Sequence, residues 1–157
     1  MRVQRVYLDT SVIGGCCDIE FQVWSEGLLR DFEMGFLKPV ISELVTAELE
    51  AAPPEVLEKL DSFWDCDPEI VDINEEMEDL ASAYLARGIL SGNYADDARH
   101  IACATVAEVD VLVSWNFRHV VHLEKMRLFN AVNLDRGYKA IQILSPREVT
   151  KHGNQGS

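Results

Sequence analysis

Asp9, Glu48 and Asp97 are the carboxylates whose positions can support chemistry, and Asn116 adds a neutral oxygen donor. Asp9 directly follows the apolar segment Val6-Tyr7-Leu8 and precedes Thr10 and Ser11. A carboxylate there stands at the ligand-binding edge of a sheet, or it caps a helix or shapes a turn. Glu48 lies four residues after Leu44 and three after Val45, so on a helix it shares their buried stripe. A carboxylate on a core stripe must be paired, protonated or bound to a cation. Glu43 and Glu50 fall on the opposite, solvated face. Asp97 precedes Ile101 by four residues and Ala104 by seven, placing it on the inner stripe at a helix start. Asp96 aligns with His100 and Cys103 nearer the flank, as an N-cap or a residue supporting the ligands from behind. Asn116 follows the strand-ending Ser114 and either offers its carbonyl oxygen to a hard cation or forms a turn. Anions brought that close repel one another and raise one pKa unless a cation neutralises them. Oxygen donors select Mg²⁺ or Mn²⁺ over zinc. Such an ion suits phosphate substrates, where it orients a water and stabilises developing charge. The residue chemistry points to metal-assisted phosphoryl or phosphodiester hydrolysis.

Positioning these groups requires strands that end beside them. Short apolar runs at Val6–Leu8, Lys38–Ile41, Glu69–Ile73, Val111–Ser114 and Ala140–Leu144 read as five strands. Helical periodicity fills the intervals: Asp18–Phe36, Ser42 to about Ala51, Glu55–Phe63, Asn74 to Gly88, Asp96 to about Val109, and Val120–Asn130. The alternation predicts an α/β fold, a single-domain parallel sheet of about five strands flanked by helices. The domain is expected over 1–150, with a disordered tail at 151–157. The 157 residues, 48% of them hydrophobic, suit one core and argue against wholesale disorder. No stretch is long and apolar enough for a membrane span, and Asp9 interrupts the apolar opening as no signal peptide would allow, so a soluble cytoplasmic protein is expected. The four cysteines form no framework and read as reduced, mostly buried thiols. The adjacent Cys16 and Cys17 carry a weak redox signal.

The net charge of −13 argues at first against nucleic acid, but the charge is uneven. Residues 1–98 hold 6 Lys/Arg against 22 Asp/Glu, whereas 99–157 hold 8 against 5 and all four histidines. That distribution fits an acidic cluster facing a mildly basic surface.

Four segments in order resemble the PIN-domain nucleases, and within them the VapC-type toxin-like proteins. VYLDTSVI resembles the first-strand motif with its leading acid at Asp9. VISELVTAELEA resembles the segment carrying Glu48, and DDARHIACA the Asp-Ala-x-His-Ile-Ala segment with its acid at Asp97. LVSWNFRHVV stands where many members carry Thr-x-Asp, so Ser114 and Asn116 fill those places, and the Ser-Trp-Asn-Phe signature matches a subgroup. The resemblance covers nearly the whole chain. It implies a small PIN-like α/β fold that cuts RNA with Mg²⁺ or Mn²⁺ held by Asp9, Glu48, Asp97 and Asn116, with Thr10, Ser11, Asp96 and Ser114 behind them. It also implies a homodimer and, for a toxin, a small antitoxin partner. Asn116 is a weaker ligand than Asp, so a second metal is expected to bind less well.

Arg99, Arg118, His119, Lys125 and Arg127 line an RNA path or form a solvated helical face. His119 and His122 read as substrate contacts or surface histidines rather than a metal pair with His100. Trp115 packs beside the fourth strand or stacks on a base, and Trp24 and Trp64 read as core. The competing function is a module of the same fold that grips RNA or a protein without cutting. A phosphatase of the haloacid-dehalogenase type would need Asp-x-Asp, and Ser11 occupies the second place.

Overall fold

The run Val6-Tyr7-Leu8 is wholly buried on both sides, as a central parallel strand must be. A computed structural model describes residues 2–153. The strands β1 (Gln4–Leu8), β2 (Leu37–Ser42), β3 (Glu69–Val71), β4 (Val111–Val113) and β5 (Ile143–Leu144) form one parallel sheet in the order β3-β2-β1-β4-β5. The register pairs Tyr7 with Val40 on one side and with Leu112 on the other.

Alternation along the strands divides the core between the two faces. Tyr7, Val40 and Leu112 point to one cluster, with Leu80, Tyr84, Ile101 and Phe129 of the helices α5 (Glu75–Ala86), α6 (Ala95–Val106) and α7 (Leu123–Asp135). Val6, Leu8, Ile41 and Val113 point to the other. There they meet α1 (Thr10–Gly15), α2 (Gln22–Glu33), α3 (Glu43–Glu48) and α4 (Pro54–Trp64). A short α8 (Pro146–Val149) follows β5, begun by Pro146 and a capping box between Ser145 and Glu148.

The boundaries differ from the sequence expectations for local reasons. Val12 and Ile13 are β-branched and two glycines follow, so α1 carries no helical signal, yet its apolar face is fully buried. Asp18 bends the chain by accepting from the Glu20 N–H at 2.8 Å, which delays α2 to Gln22. α3 stops at Glu48, and Ser42 spends its hydroxyl on Tyr7 instead of capping. α7 begins only at Leu123, because the His122 ring caps it by accepting from the Lys125 N–H. That role agrees with reading His119 and His122 as something other than a metal pair. Asp96 does not cap α6 either: it sits in the first turn, exposed, and bonds Arg99 at 2.7 Å.

The end of the described chain is tied down. Asp31, wholly buried on α2, accepts from Thr150 Oγ1 at 2.7 Å, the Lys151 N–H at 3.0 Å and His152 Nδ1 at 2.5 Å. The tail expected at 151–157 thus begins in a hydrogen-bonded strap, and 154–157 lie outside the described residues. The strap passes so close to α2 that a Cβ at Gly27 would stand 2.4 Å from the His152 carbonyl oxygen. Gly27→Ala is expected to destabilise by about 1–3 kcal/mol and to speed amide exchange at Lys151 and His152 selectively. Unchanged exchange there would contradict the strap. Among the described residues, no helix is long and apolar enough to cross a membrane.

All four cysteines are free thiols, Cys16 and Cys103 buried and Cys17 exposed. Burial pushes the Cys16 thiol up to about 12 and raises Cys17 as well, so neither is an activated nucleophile at neutral pH.

Candidate active site

The chain leaves β1 outward to β2 and β3, then returns to lay β4 on the opposite side of β1. The strand order reverses between β1 and β4, and ligands in open α/β sheets bind at the carboxyl end of that reversal. Asp9 follows β1 there, and Ser114 follows β4.

Two serines fix Asp9. Ser11 Oγ and Ser114 Oγ each donate to Asp9 Oδ2 at 2.7 Å. Each serine in turn accepts a backbone N–H, Ser11 from Trp115 at 2.9 Å and Ser114 from Asn116 at 2.9 Å. The carboxylate is only 5% exposed, and its Oδ1 faces the crevice 3.5 Å from His100 Nε2.

His100, on α6 and wholly buried, is the residue that sequence reasoning set aside. Its Nε2 lies 2.5 Å from Glu48 Oε1, and its Nδ1 lies 2.7 Å from the Tyr7 hydroxyl, which also meets Ser42 Oγ at 2.7 Å. Burial alone would lower the pKa of this ring, but the bond to Glu48 and the charges of Asp9, Glu48 and Asp97 outweigh it and raise the pKa. The geometry suits an imidazolium, both of whose nitrogens donate. A usable signal existed: His100 follows Asp97 by three residues, so the two share a helix face. Tyr7 is pushed well above its ordinary pKa, chiefly by burial, and stays a neutral phenol.

Glu48 differs from the buried position expected of it. α3 ends at this residue, so its side chain reaches inward from the rim, 30% exposed, to His100 and to the Thr10 hydroxyl at 3.0 Å. Asp97 is half-buried at the start of α6 and accepts from Asn116 Nδ2 at 3.3 Å. Its pKa is raised to about 6, first by burial and next by the charge of Asp9, with His100 opposing. Asn116 takes the turn reading: its Oδ1 accepts the His119 N–H at 3.0 Å, and it is the Nδ2 amide, a donor and not a metal ligand, that reaches Asp97.

The basic residues divide. Arg99 is held by Glu78 at 2.8 Å and by Asp96. Lys125 Nζ donates to the Ile89 carbonyl at 2.8 Å. His119 packs on Tyr94 with ring centroids 3.9 Å apart, and burial followed by the charges of Arg118 and Lys125 lowers its pKa. Arg118 and Arg127 remain exposed and unpaired among the described residues. Trp115 is packed, stacked on Phe21 with centroids 4.2 Å apart, whereas Trp24 is only half-buried, a departure from the core role expected of it.

The donors at the crevice are oxygens, which fit a hard divalent cation. Among the described residues, no three His, Cys, Asp or Glu side chains form a ready ion cage. Mg²⁺ does not ask for one: it binds through one or two carboxylates, with waters and substrate phosphates completing its shell. Asp9 and Asp97 meet that requirement, while Glu48 is engaged by His100.

A five-stranded parallel sheet in the order β3-β2-β1-β4-β5, flanked by helices, matches a PIN-like α/β fold. A solved chain of the VapBC2 complex from Rickettsia felis, bound to a DNA fragment from their promoter, shares this fold with a TM-score of 0.54. The two are 20% identical over 73% of this chain and 89% of that one. No protein-family model matches the chain, and no curated protein matches it.

Proposed function

We propose that the chain is a metal-dependent endoribonuclease of the toxin type, silenced by a small antitoxin partner. The observation that carries this reading is the convergence of Asp9 and Asp97 at the switch point: α6 brings His100 within 3.5 Å of Asp9, and Asp97 at the start of the same helix meets Asn116, whose N–H holds the Ser114 that clamps Asp9, while the charge of Asp9 helps raise the Asp97 pKa. Two carboxylates held together at that cost in repulsion suit a divalent cation. Asp9 and Asp97 would hold Mg²⁺ or Mn²⁺, which supplies a polarised water and neutralises charge on the phosphate. Ser11 and Ser114 keep Asp9 oriented, and Glu48, anchored by His100 and Thr10, lies at the rim to accept a proton from the attacking water. Asn116 stands beside Asp97 and adds no fourth charge. The fold shared with a VapBC2 chain supports an antitoxin partner. A homodimer and a cytoplasmic setting accompany that reading.

RNA incubated with Mg²⁺, Mn²⁺ or EDTA tests the proposal. Cleavage with either metal and none with EDTA is the expected result. Cleavage that survives EDTA, or no cleavage of any RNA, would overturn it. The second outcome favours the competing binding module, which Asn116 supports by giving Asp97 an N–H donor where an acid would give another ligand. RNA is expected to approach over Arg118 and Arg127. Arg118→Ala and Arg127→Ala should each weaken filter binding at low salt and reduce the salt slope by about 1. An unchanged slope in both would remove that path.

A further inference from the structure

Against Trp115, the residue that follows Ser114, lies a cleft of about 520 Å³ that the proposed reaction does not use. Its apolar lining consists of Phe21, Trp24, Trp115 and Phe117, all aromatic, with no aliphatic side chain. Trp115 forms the floor, stacked on Phe21 and meeting Phe117 edge-on at 6.1 Å. Its indole Nε1 donates to the buried Ser25 hydroxyl at 2.8 Å, which fixes the ring plane. Underneath, α1 comes so close that a Cβ at Gly15 would stand 2.6 Å from that nitrogen. Phe117 is 49% exposed, an aromatic ring left open to solvent at the mouth. Arg147 lays its guanidinium over the Trp24 ring, 5.0 Å from the centroid.

The geometry points to this cleft as a nucleobase subsite that holds one unpaired base of the RNA next to the scissile phosphate. The assignment rests on the nuclease reading and adds to it what the site recognises. Trp115 is 7% exposed with Phe21 stacked on it and Arg147 lies over Trp24, so the Phe117 ring presents the open π face, on which any base can stack. Glu20 and Glu148 at the rim repel phosphate, so the base enters and the backbone stays outside, where Arg147 can meet it. The cleft is also joined to the acids: the Trp115 N–H donates to the same Ser11 hydroxyl that donates to Asp9. An occupant that fills the cleft and also reaches Asp9 needs a base and a phosphate on one covalent chain.

The probe is a short single-stranded RNA carrying one 2-aminopurine, moved through successive positions and titrated into the Asp97→Asn chain so that it is not cut. Quenching of the probe at one fixed position is expected. Phe117→Leu and Trp24→Leu, which keep apolar bulk and remove a ring, should each weaken binding by about fivefold or more. An abasic residue at the quenched position should cost a similar factor and add little in Phe117→Leu. Quenching at no position, or binding indifferent to both leucine variants, overturns the subsite. Tryptophan quenching by a leucine-rich helical peptide and by no RNA assigns the cleft to a protein and overturns it equally. Metal-dependent cleavage of unmodified RNA by the wild-type chain, measured in parallel, separates the two readings. Cleavage without quenching removes the subsite alone, whereas quenching without cleavage keeps the subsite and removes the nuclease.

Discussion

Asp97→Asn is expected to lower metal-dependent RNA cleavage by at least about a hundredfold and, at the same time, to make the protein more stable at pH 8. The two effects share one origin. Asp97 is held half-buried beside Asp9, and its pKa is raised from 3.8 to about 6. Between those values the folded chain binds more protons than the unfolded one, so stability falls as pH rises through the window and stays lower above it. Asn carries no charge to repel. The variant's advantage should therefore be present at pH 8 and vanish below about pH 4, where Asp97 is protonated in both states. Solvent reaches this side chain, which discounts the gain to a Tm shift of roughly 2–4 °C. Thermal melts at the two pH values, without divalent metal, check the sign. Adding Mg²⁺ should raise the wild-type Tm and leave Asp97→Asn nearly unmoved. A variant that melts lower at pH 8 would show that Asp97 is a structural acid.

His100→Leu is expected to have the larger effect on stability, a loss of about 3 kcal/mol. Leucine approximates the ring's volume but removes the buried cation that faces Glu48 at 2.5 Å and Asp9 at 3.5 Å. The Tyr7 hydroxyl keeps Ser42, and Glu48 can turn toward water, which holds the loss at the low end for a broken buried pair. For a chain of this length the Tm should fall by roughly 6–12 °C. The pH dependence has a definite sign. Because the folded pKa of His100 is raised above 6.5, its contribution is fully present below that value and is lost as pH rises through the folded pKa. The gap between wild type and variant should thus be wider at pH 6 than at pH 9. Equal gaps at both would mean that the ring acts only by packing.

Much of this site was legible because strand ends and helix periods are written in residue order. Asp9 sits one residue past a buried apolar run, and Asp97 keeps register with Ile101 and Ala104, both wholly buried. Glu48 was found for a reason that holds only in part, since the helix ends at the residue itself and leaves it at the rim. His100 escaped because an ionisable ring just before the run Ile101-Ala102-Cys103-Ala104 reads as flank, and its value depends on Tyr7 and Glu48, which are distant in the chain. The same blindness to distance hid Asp31, whose partners lie 119 to 121 residues away. α1 was missed because its burial, and not its composition, makes it a helix.

The pair of serines holding Asp9 also sets a timetable. One serine follows the first strand, and the other lies 105 residues from Asp9. During synthesis at about 5–20 residues per second, the acid emerges first and waits for its second clamp. Until Ser114 leaves the ribosome, Asp9 lacks both the hydroxyl that donates to it and the Trp115 N–H that orients Ser11. No fragment ending before Ser114 can assemble the crevice, so the clamp on Asp9 closes only after β4 has been made.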